Sequence, residues 1–381
     1  MVSIRLTLNV LLLITAGVSN TAFAQVTPAA GSTPPDDTPS IKVGTTIYTN
    51  YSYQADPPIT DTDGNSVHRS SFDVTRSYIN ITGNLNHIVA FRVTPDVARE
   101  TSTTATLSGS LEFRIKYAFL QANLDDWMTR GSYARFGIQQ TPYVDFFEGI
   151  YRYRFQGTTF TERTGFQSSS DAGASFHYNF PKNYGDVHVG YYNGDTYTKA
   201  EVNDQKGFEI RATGRPFARK APVLRGLRGH IFYLGDAYVK DGVRKRTVAS
   251  VTYESPVLNA GFEYLDARDQ RSALPGTPYV KAQGYSIFAT PRTKWGWEGL
   301  FRYDHLTPNT SSALAPLSTA GNLETKLDSQ QQNRVITGIA YWFKLQGSVT
   351  ASLLLDYDAQ VFTNITTPET KTVAVHALVN F

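Results

Sequence analysis

Between Ile41 and Phe381 the chain repeats one pattern sixteen times: a run, mostly of about ten residues or more, in which apolar and polar side chains alternate before a turn or loop intervenes. The runs lie at 41–53, 71–83, 87–96, 110–123, 132–141, 171–180, 185–193, 206–217, 227–239, 244–255, 257–268, 279–290, 295–306, 332–345, 348–360 and 370–381. Period-two alternation marks a strand whose two faces meet different surroundings. A soluble β-sandwich or propeller is the alternative for so many strands. Its strands commonly stop at about five or six residues, whereas about ten are needed to cross a bilayer at a tilt. The run lengths therefore argue for a membrane barrel.

The connections alternate as well. Those at 84–86, 181–184, 256, 291–294 and 346–347 are short, and those at 54–70, 97–109, 142–170, 194–205 and 307–331 are long. Short turns at one end and long loops at the other are the layout of an outer-membrane barrel, with the turns periplasmic, the loops extracellular and the N-terminus in the periplasm. Two connections depart from it, a long turn at 219–226 and a short loop at 240–243. Gly149 to Phe155 also alternates, but single-chain barrels use even strand numbers, so this stretch is assigned to a loop. The expected fold is an all-β, 16-stranded antiparallel transmembrane barrel.

In the last run Val373, Val375, Ala377, Val379 and Phe381 share one face. A free apolar edge would template aggregation in water, and closing a barrel removes it. The terminal Phe resembles the C-terminal assembly signal of bacterial outer-membrane barrels, which implies the barrel assembly machinery as a partner through Phe381.

At the other end Arg5, an apolar run from Leu6 to Ala16 and Ala22-Phe23-Ala24 follow the order of a Sec-type signal peptide, 1–24. An N-terminal anchor would need roughly 20 apolar residues. Residues 25–40, rich in Pro, Thr, Ala and Ser, read as a flexible periplasmic linker, and 41–381 as the barrel. The 23 Tyr, 22 Phe and 4 Trp suit the aromatic girdles of a barrel in outer-membrane lipid. With no Cys there is neither a disulfide nor a thiolate metal site, and a net charge of +3 is too small for a nucleic-acid binder.

Parity sorts the side chains. In 348–360 Val349, Ala351, Leu353, Leu355 and Tyr357 take one face, and Ser352, Asp356 and Asp358 the other. In 295–306 Trp295, Trp297, Phe301 and Tyr303 oppose Glu298, Arg302 and Asp304. Lipid cannot solvate charge, so the polar set faces a wet lumen. The same sorting sets Arg92 against Phe91 and Val93; Arg114 and Lys116 against Phe113, Ile115 and Tyr117; Arg135 against Phe136; and Arg211 and Arg215 against Phe208 and Ile210. Arg76 joins this set although the alternation of its strand breaks near Ser77. The reading is a mid-height basic wall on strands 2 to 8 facing a more acidic wall that includes Glu298, Asp304 and Asp356. Clustered Arg and Lys along a pore attract anions; taken singly, such charges only solvate the lumen. The longest loop, the third, carries Asp145, Phe146, Phe147, Glu148, Arg152, Arg154, Glu162 and Arg163. Folded inward it would form a constriction; folded outward it would be a surface loop.

Several segments then resemble the phosphate-selective porin O and P family over most of the mature length: Phe72 to Gly83, Phe136-Gly137-Ile138-Gln139-Gln140-Thr141-Pro142-Tyr143, Glu162-Arg163, Asp171-Ala172-Gly173, Tyr192-Asn193-Gly194-Asp195, and Gly207 to Arg211 with Arg215-Pro216-Phe217. Thr75 and Gln140 stand where that family commonly has Arg and Lys. The resemblance implies a homotrimeric, sixteen-stranded porin with an inward third loop, passing anions such as phosphate along a row for which Arg76, Arg211 and Arg215 are the best-placed residues. It implies no cofactor.

Catalysis finds little support. The seven His form no His-x-x-x-His pair, and there is no Gly-x-Ser-x-Gly elbow. Three readings stand: an anion-preferring porin, a general diffusion porin for small polar solutes, and a closed structural or adhesive barrel.

Overall fold

In a computed structural model the alternation becomes a sheet with an outer and an inner face. The structure describes residues 37–100, 106–201, 203–218, 223–237, 239–270, 273, 279–310, 331–363 and 368–381. The expected signal peptide, and residues 25–36 of the expected linker, lie outside the described residues.

The barrel strands are β1 (Ser40–Asp56), β2 (Ser70–Asn84), β3 (Val89–Arg99), β4 (Leu111–Asn123), β5 (Tyr133–Gln140), β6 (Ser170–Asn179), β7 (Gly185–Tyr192), β8 (Gly207–Gly214), β9 (Leu227–Asp236), β10 (Arg244–Glu254), β11 (Leu258–Asp269), β12 (Val280–Pro291), β13 (Trp297–Thr307), β14 (Gln331–Trp342), β15 (Thr350–Thr363) and β16 (Thr370–Asn380). Each pairs antiparallel with its sequence neighbours, and β1 pairs with β16 to close the barrel. At this seam the Thr45 N–H donates to the Phe381 carbonyl at 2.8 Å and Phe381 N–H donates back at 3.0 Å. The sixteen expected runs are the sixteen strands, most within a few residues of their expected bounds. Most of the long connections, including a two-stranded hairpin of Ile59–Thr60 with Ser66–Val67, gather at one end, hereafter the loop end, while the connections at 124–132 and 215–226 are the long ones at the other. The other end is the turn end. Gly149 to Phe155 is not a strand: most of its first half belongs to helix α1 (Val144–Tyr151), and the same connection holds a single turn, α2 (Phe160–Arg163).

The outer face is apolar, with Phe72 84% and Phe136 74% exposed. Trp127 and Trp295 stand out near the turn end, and Tyr53 and Tyr279 near the loop end, where a barrel carries its interfacial aromatics. Among the described residues no helix is long and apolar enough to cross a membrane, so any crossing is made by strands.

Three register shifts interrupt the ladders, one of them between Gln54 and Asp56 of β1 where it pairs with β16. The β1–β2 register slips between Tyr48 and Thr49, leaving Thr75 without an opposite residue; this is the break near Ser77, and it leaves Arg76 reaching Asp96 inside. The β3–β4 register slips between Thr94 and Pro95, leaving Lys116 as the surplus residue. Lys116 and Tyr117 are both buried, and Phe119 follows Tyr117 inward while Leu120 points out. The expectation that Tyr117 shares the lipid face of Phe113 and Ile115 is therefore corrected. An extra residue in one strand reverses the parity of everything beyond it. Nearby, Gly137 has φ +125°, and a Cβ there would lie 2.3 Å from the Ala118 carbonyl, so that β5 fits against β4 only with glycine.

Candidate functional site

The third loop folds inward, and the residues that take it there are its aromatics. Tyr143, Phe147, Tyr151, Tyr153, Phe155 and Phe160 are almost wholly buried. Their counterparts are inward-facing apolar side chains of the far wall, among them Phe232 on β9, Leu265 on β11, Phe288 on β12, Leu300 on β13, Ile336 on β14 and Leu354 on β15. Tyr143 packs against Phe232 at 5.4 Å, Tyr151 meets Phe288 edge-on at 5.2 Å, and Tyr153 meets Trp342 at 5.9 Å. Burial of this area is the main driving force that holds the loop, since each aromatic removes a large surface from water. Much of the lumen on this side is a dry core. The expectation of a wet lumen throughout is corrected: Leu354, Phe288 and Phe232 sit on inward faces whose neighbours Leu353, Leu355, Ile287 and Ile231 are also apolar.

Polar contacts fasten the loop to the same wall. Asn259 donates to the Ile150 carbonyl at 2.8 Å, Arg302 to the Thr158 carbonyl at 2.7 Å, and Tyr143 to Glu263 at 3.0 Å. Arg152 points here and not toward open space, donating to Glu298 at 3.2 Å and stacking over Trp342. Arg163, at the end of α2, donates to Gln156 at 3.1 Å. Burial, with Arg302 and Arg334 close by, pushes its guanidinium down to about 9.

The expected acidic wall is thus inside the barrel, with Glu298 and Asp304 compensated by arginines and Asp356 in contact with a histidine. Glu298 meets Arg152 and, at 3.5 Å, Arg292; Asp304 meets Arg302 at 2.6 Å; Asp356 meets His376 at 3.1 Å. Carboxylates paired and covered in this way project little field into the remaining space.

That space lies on the opposite side. A small cleft, partly open to solvent, runs between the loop and β1–β4, lined by Thr46, Tyr48, Tyr78, Asn80, Arg92, Lys116 and Tyr117 on the wall and by Asp145, Glu148 and Arg154 on the loop. Arg92 is held by hydrogen bonds to Thr94 and Asn80, each at 2.9 Å, and lies 4.4 Å over the Tyr117 ring. Lys116 sits 5.1 Å from the Tyr78 ring centroid and 5.2 Å from that of Tyr117. Next along the wall Arg135 donates to Gln121 at 2.8 Å and to Gln140 at 3.0 Å, with its guanidinium 4.0 Å over Tyr133. None of these three cations forms an ion pair with a carboxylate among the described residues.

The other expected basic residues differ. Arg76 and Arg114 share Asp96 at 2.6 and 3.1 Å, and Arg211 pairs with Asp186 at 2.5 Å while supporting Phe146 and the Pro142 carbonyl. Arg215 leaves the row. Strand β8 stops at Gly214, so Arg215 belongs to the turn that follows, where it reaches the Arg225 carbonyl at 3.4 Å.

On the loop side Asp145 accepts from the Tyr117 hydroxyl at 2.5 Å, and Arg154 lies 2.8 Å from Glu148 and 3.6 Å from Glu162. Burial pushes Glu148 up to about 8 although Arg154 draws it down, and Glu162 adds to the push. Burial also pushes Glu162 up, but Arg154, Lys116 and Ser169 outweigh it and hold that carboxyl below its ordinary value. Tyr48, Tyr78, Asn80 and Tyr117 were missed as site residues by parity alone. The broken alternations around Thr75 and Lys116 are the signals that could have found Tyr78 and Tyr117.

No family model matches the chain, and no curated protein is similar to it. Solved structures do resemble it. A loop L8 deletion mutant of the outer membrane protein OmpT of Vibrio cholerae has a TM-score of 0.59 at 14% identity, over 90% of this chain and 99% of that one. The outer membrane channel DcaP of Acinetobacter baumannii has 0.57 at 11%, over 90% and 97%. An anion-selective porin from Comamonas acidovorans has 0.57 at 10%, over 90% and 100%. At such identities the likeness is one of fold, and the shared fold is that of outer-membrane porins.

Proposed function

We propose that the chain is an outer-membrane porin, a water-filled channel for passive diffusion of small solutes that prefers anions, inorganic phosphate among them. The observation that carries this reading is the cleft beside the inward loop, one wall of which presents Arg92 and Lys116, with Arg135 next to them, none of the three in an ion pair with a carboxylate among the described residues. Cations fixed in a narrow, low-dielectric passage raise the local anion concentration and lower the barrier to anion entry. In this reading the loop end is extracellular, the turn end periplasmic, residues 1–24 a signal peptide and 25–40 a periplasmic linker. The resemblance to the phosphate-selective porin O and P family and the fold shared with an anion-selective porin support it. A homotrimer, and delivery by the barrel assembly machinery through Phe381, belong to the same proposal.

Asp145 in the same cleft favours the second reading, a general diffusion porin whose opposed charges leave no net ion preference. The reversal potential in a salt gradient across a planar bilayer separates the two. We expect it on the anion side, and expect the triple variant Arg92→Gln, Lys116→Gln, Arg135→Gln to move it toward zero. The triple variant Arg76→Ala, Arg211→Ala, Arg215→Ala should move it less, because Arg76 and Arg211 are already neutralised by Asp96 and Asp186. A cation-side potential in the unaltered protein, or the opposite ranking of the two variants, refutes the assignment. Absence of conductance refutes both porin readings and leaves the closed barrel.

A further inference from the structure

Three groups lining the cleft, Arg92, Asp145 and Tyr78, share an arrangement that solvation of a pore wall does not require: each is held at one point and, among the described residues, left open at another. Arg92 commits Nε and Nη2 to Thr94 and Asn80, while its Nη1 is buried without a partner. Asp145 commits Oδ2 to the Tyr117 hydroxyl, while its Oδ1 is buried without a partner. Tyr78 is fixed by its ring, edge-on to Tyr48 at 5.9 Å and beneath Lys116, while its hydroxyl is buried without a partner. Lys116, 4% exposed, contributes an ammonium that lies beside the Tyr78 and Tyr117 rings and forms no ion pair among the described residues. Buried polar atoms are rarely left unpaired, so several converging on one cavity describe a ligand's outline.

The outline has two signs. Donors and positive charge come from the β2–β4 wall, and an open carboxylate oxygen comes from the loop, where Glu148 is engaged by Arg154. We infer that the cleft is a binding subsite for a small amphoteric solute, one carrying both a carboxylate and an ammonium group. The carboxylate would take Arg92 Nη1 and Lys116, and the ammonium would take Asp145 Oδ1. The tyrosine rings would cover the stem between them. A simple anion satisfies only half of this set, because it leaves Asp145 Oδ1 buried and brings like charge toward it. A simple cation meets Arg92 and Lys116. This inference rests on the channel reading and adds to it a solute class that the channel holds as well as passes.

The test needs the unaltered protein in a planar bilayer carrying a chloride current, with four probes added in turn: glutamine, acetate, methylammonium and acetamide. Glutamine should reduce the current saturably, acetate about tenfold more weakly, and methylammonium and acetamide not at all, since each lost charged contact removes about one decade of affinity. Asp145→Asn should raise the half-saturating glutamine concentration about tenfold, while that of acetate should stay the same or fall. Acetate matching glutamine would show that the cleft reads the carboxylate alone, and overturns the inference. So does a conducting channel whose current glutamine leaves untouched, the result expected if water alone fills the cleft. That outcome leaves the channel reading intact, whereas absence of conductance removes both. The solute series in the unaltered protein decides the matter even where the variant fails to fold.

Discussion

Strands β1–β4 and strands β9–β15 follow the same alternation, and their inward faces meet different media. On β1–β4 the inner residues line an open cleft with Arg92 and Lys116 held by neutral neighbours. On β9–β15 the inner residues are a mixture of Phe, Leu and Ile with carboxylates such as Asp304 already paired, and the loop's aromatics seal them. Parity therefore identifies which side chains are inside without saying whether inside is wet. That second property is set by what the third loop covers, and it divides the barrel into a side that tunes passage and a side that stabilises.

The largest blow to this division should come from the loop's anchors. Replacing Phe147, Tyr151 and Phe155 together by Ala removes aromatics that each contribute roughly 3–5 kcal/mol in a packed core. The urea midpoint should fall and single-channel conductance should rise as the loop leaves the β9–β15 wall. Unchanged conductance with a lowered midpoint would mean that the loop does not set the open area.

A smaller effect sharpens the contrast. Asp304→Asn leaves Arg302 buried beside a neutral side chain, which should cost roughly 3 kcal/mol of stability. Because that pair lies under the loop, the reversal potential should not move; a shift as large as that of the Arg92 and Lys116 variants would show that the covered wall also faces the ion path.

The smallest effect is a dependence on pH. Glu148, pushed up to about 8 by burial, is mainly protonated and neutral below that value and becomes anionic as pH rises through it. Anion preference should therefore weaken as pH is raised through about 8, and Glu148→Gln should flatten the change. A step of equal size in the Gln variant would assign it to another group.

The barrel was largely legible because a strand in lipid has little freedom: its outer face must be apolar and its backbone fully paired, so run length and alternation survive in the residues themselves. The lumen was legible only where its residues are charged. Asp96 pairs with Arg76 and Arg114 from a different strand, and Asp186 with Arg211, contacts that exist only once register brings β2, β3 and β4, or β7 and β8, side by side. Leu353-Leu354-Leu355 carries apolar side chains on both faces, a pattern that reads as noise in a wet barrel and as a core beneath an inserted loop. Arg215 kept the parity of Arg211 on paper, but β8 ends before reaching it.

An alternating strand carries no punctuation, so the surplus residue at Lys116 acts as a frameshift acts in a coding sequence. On one side of it Glu112 and Arg114 are spelled inward; on the other, Tyr117, Phe119 and Gln121 are. A chain lacking that one residue would read in a single unbroken frame, with Arg114 followed inward by Tyr117, Phe119 and Gln121 and no bulge between them. The ammonium in the cleft is thus carried by the one surplus residue, and deleting it would take away that charge while leaving the tyrosine where it is.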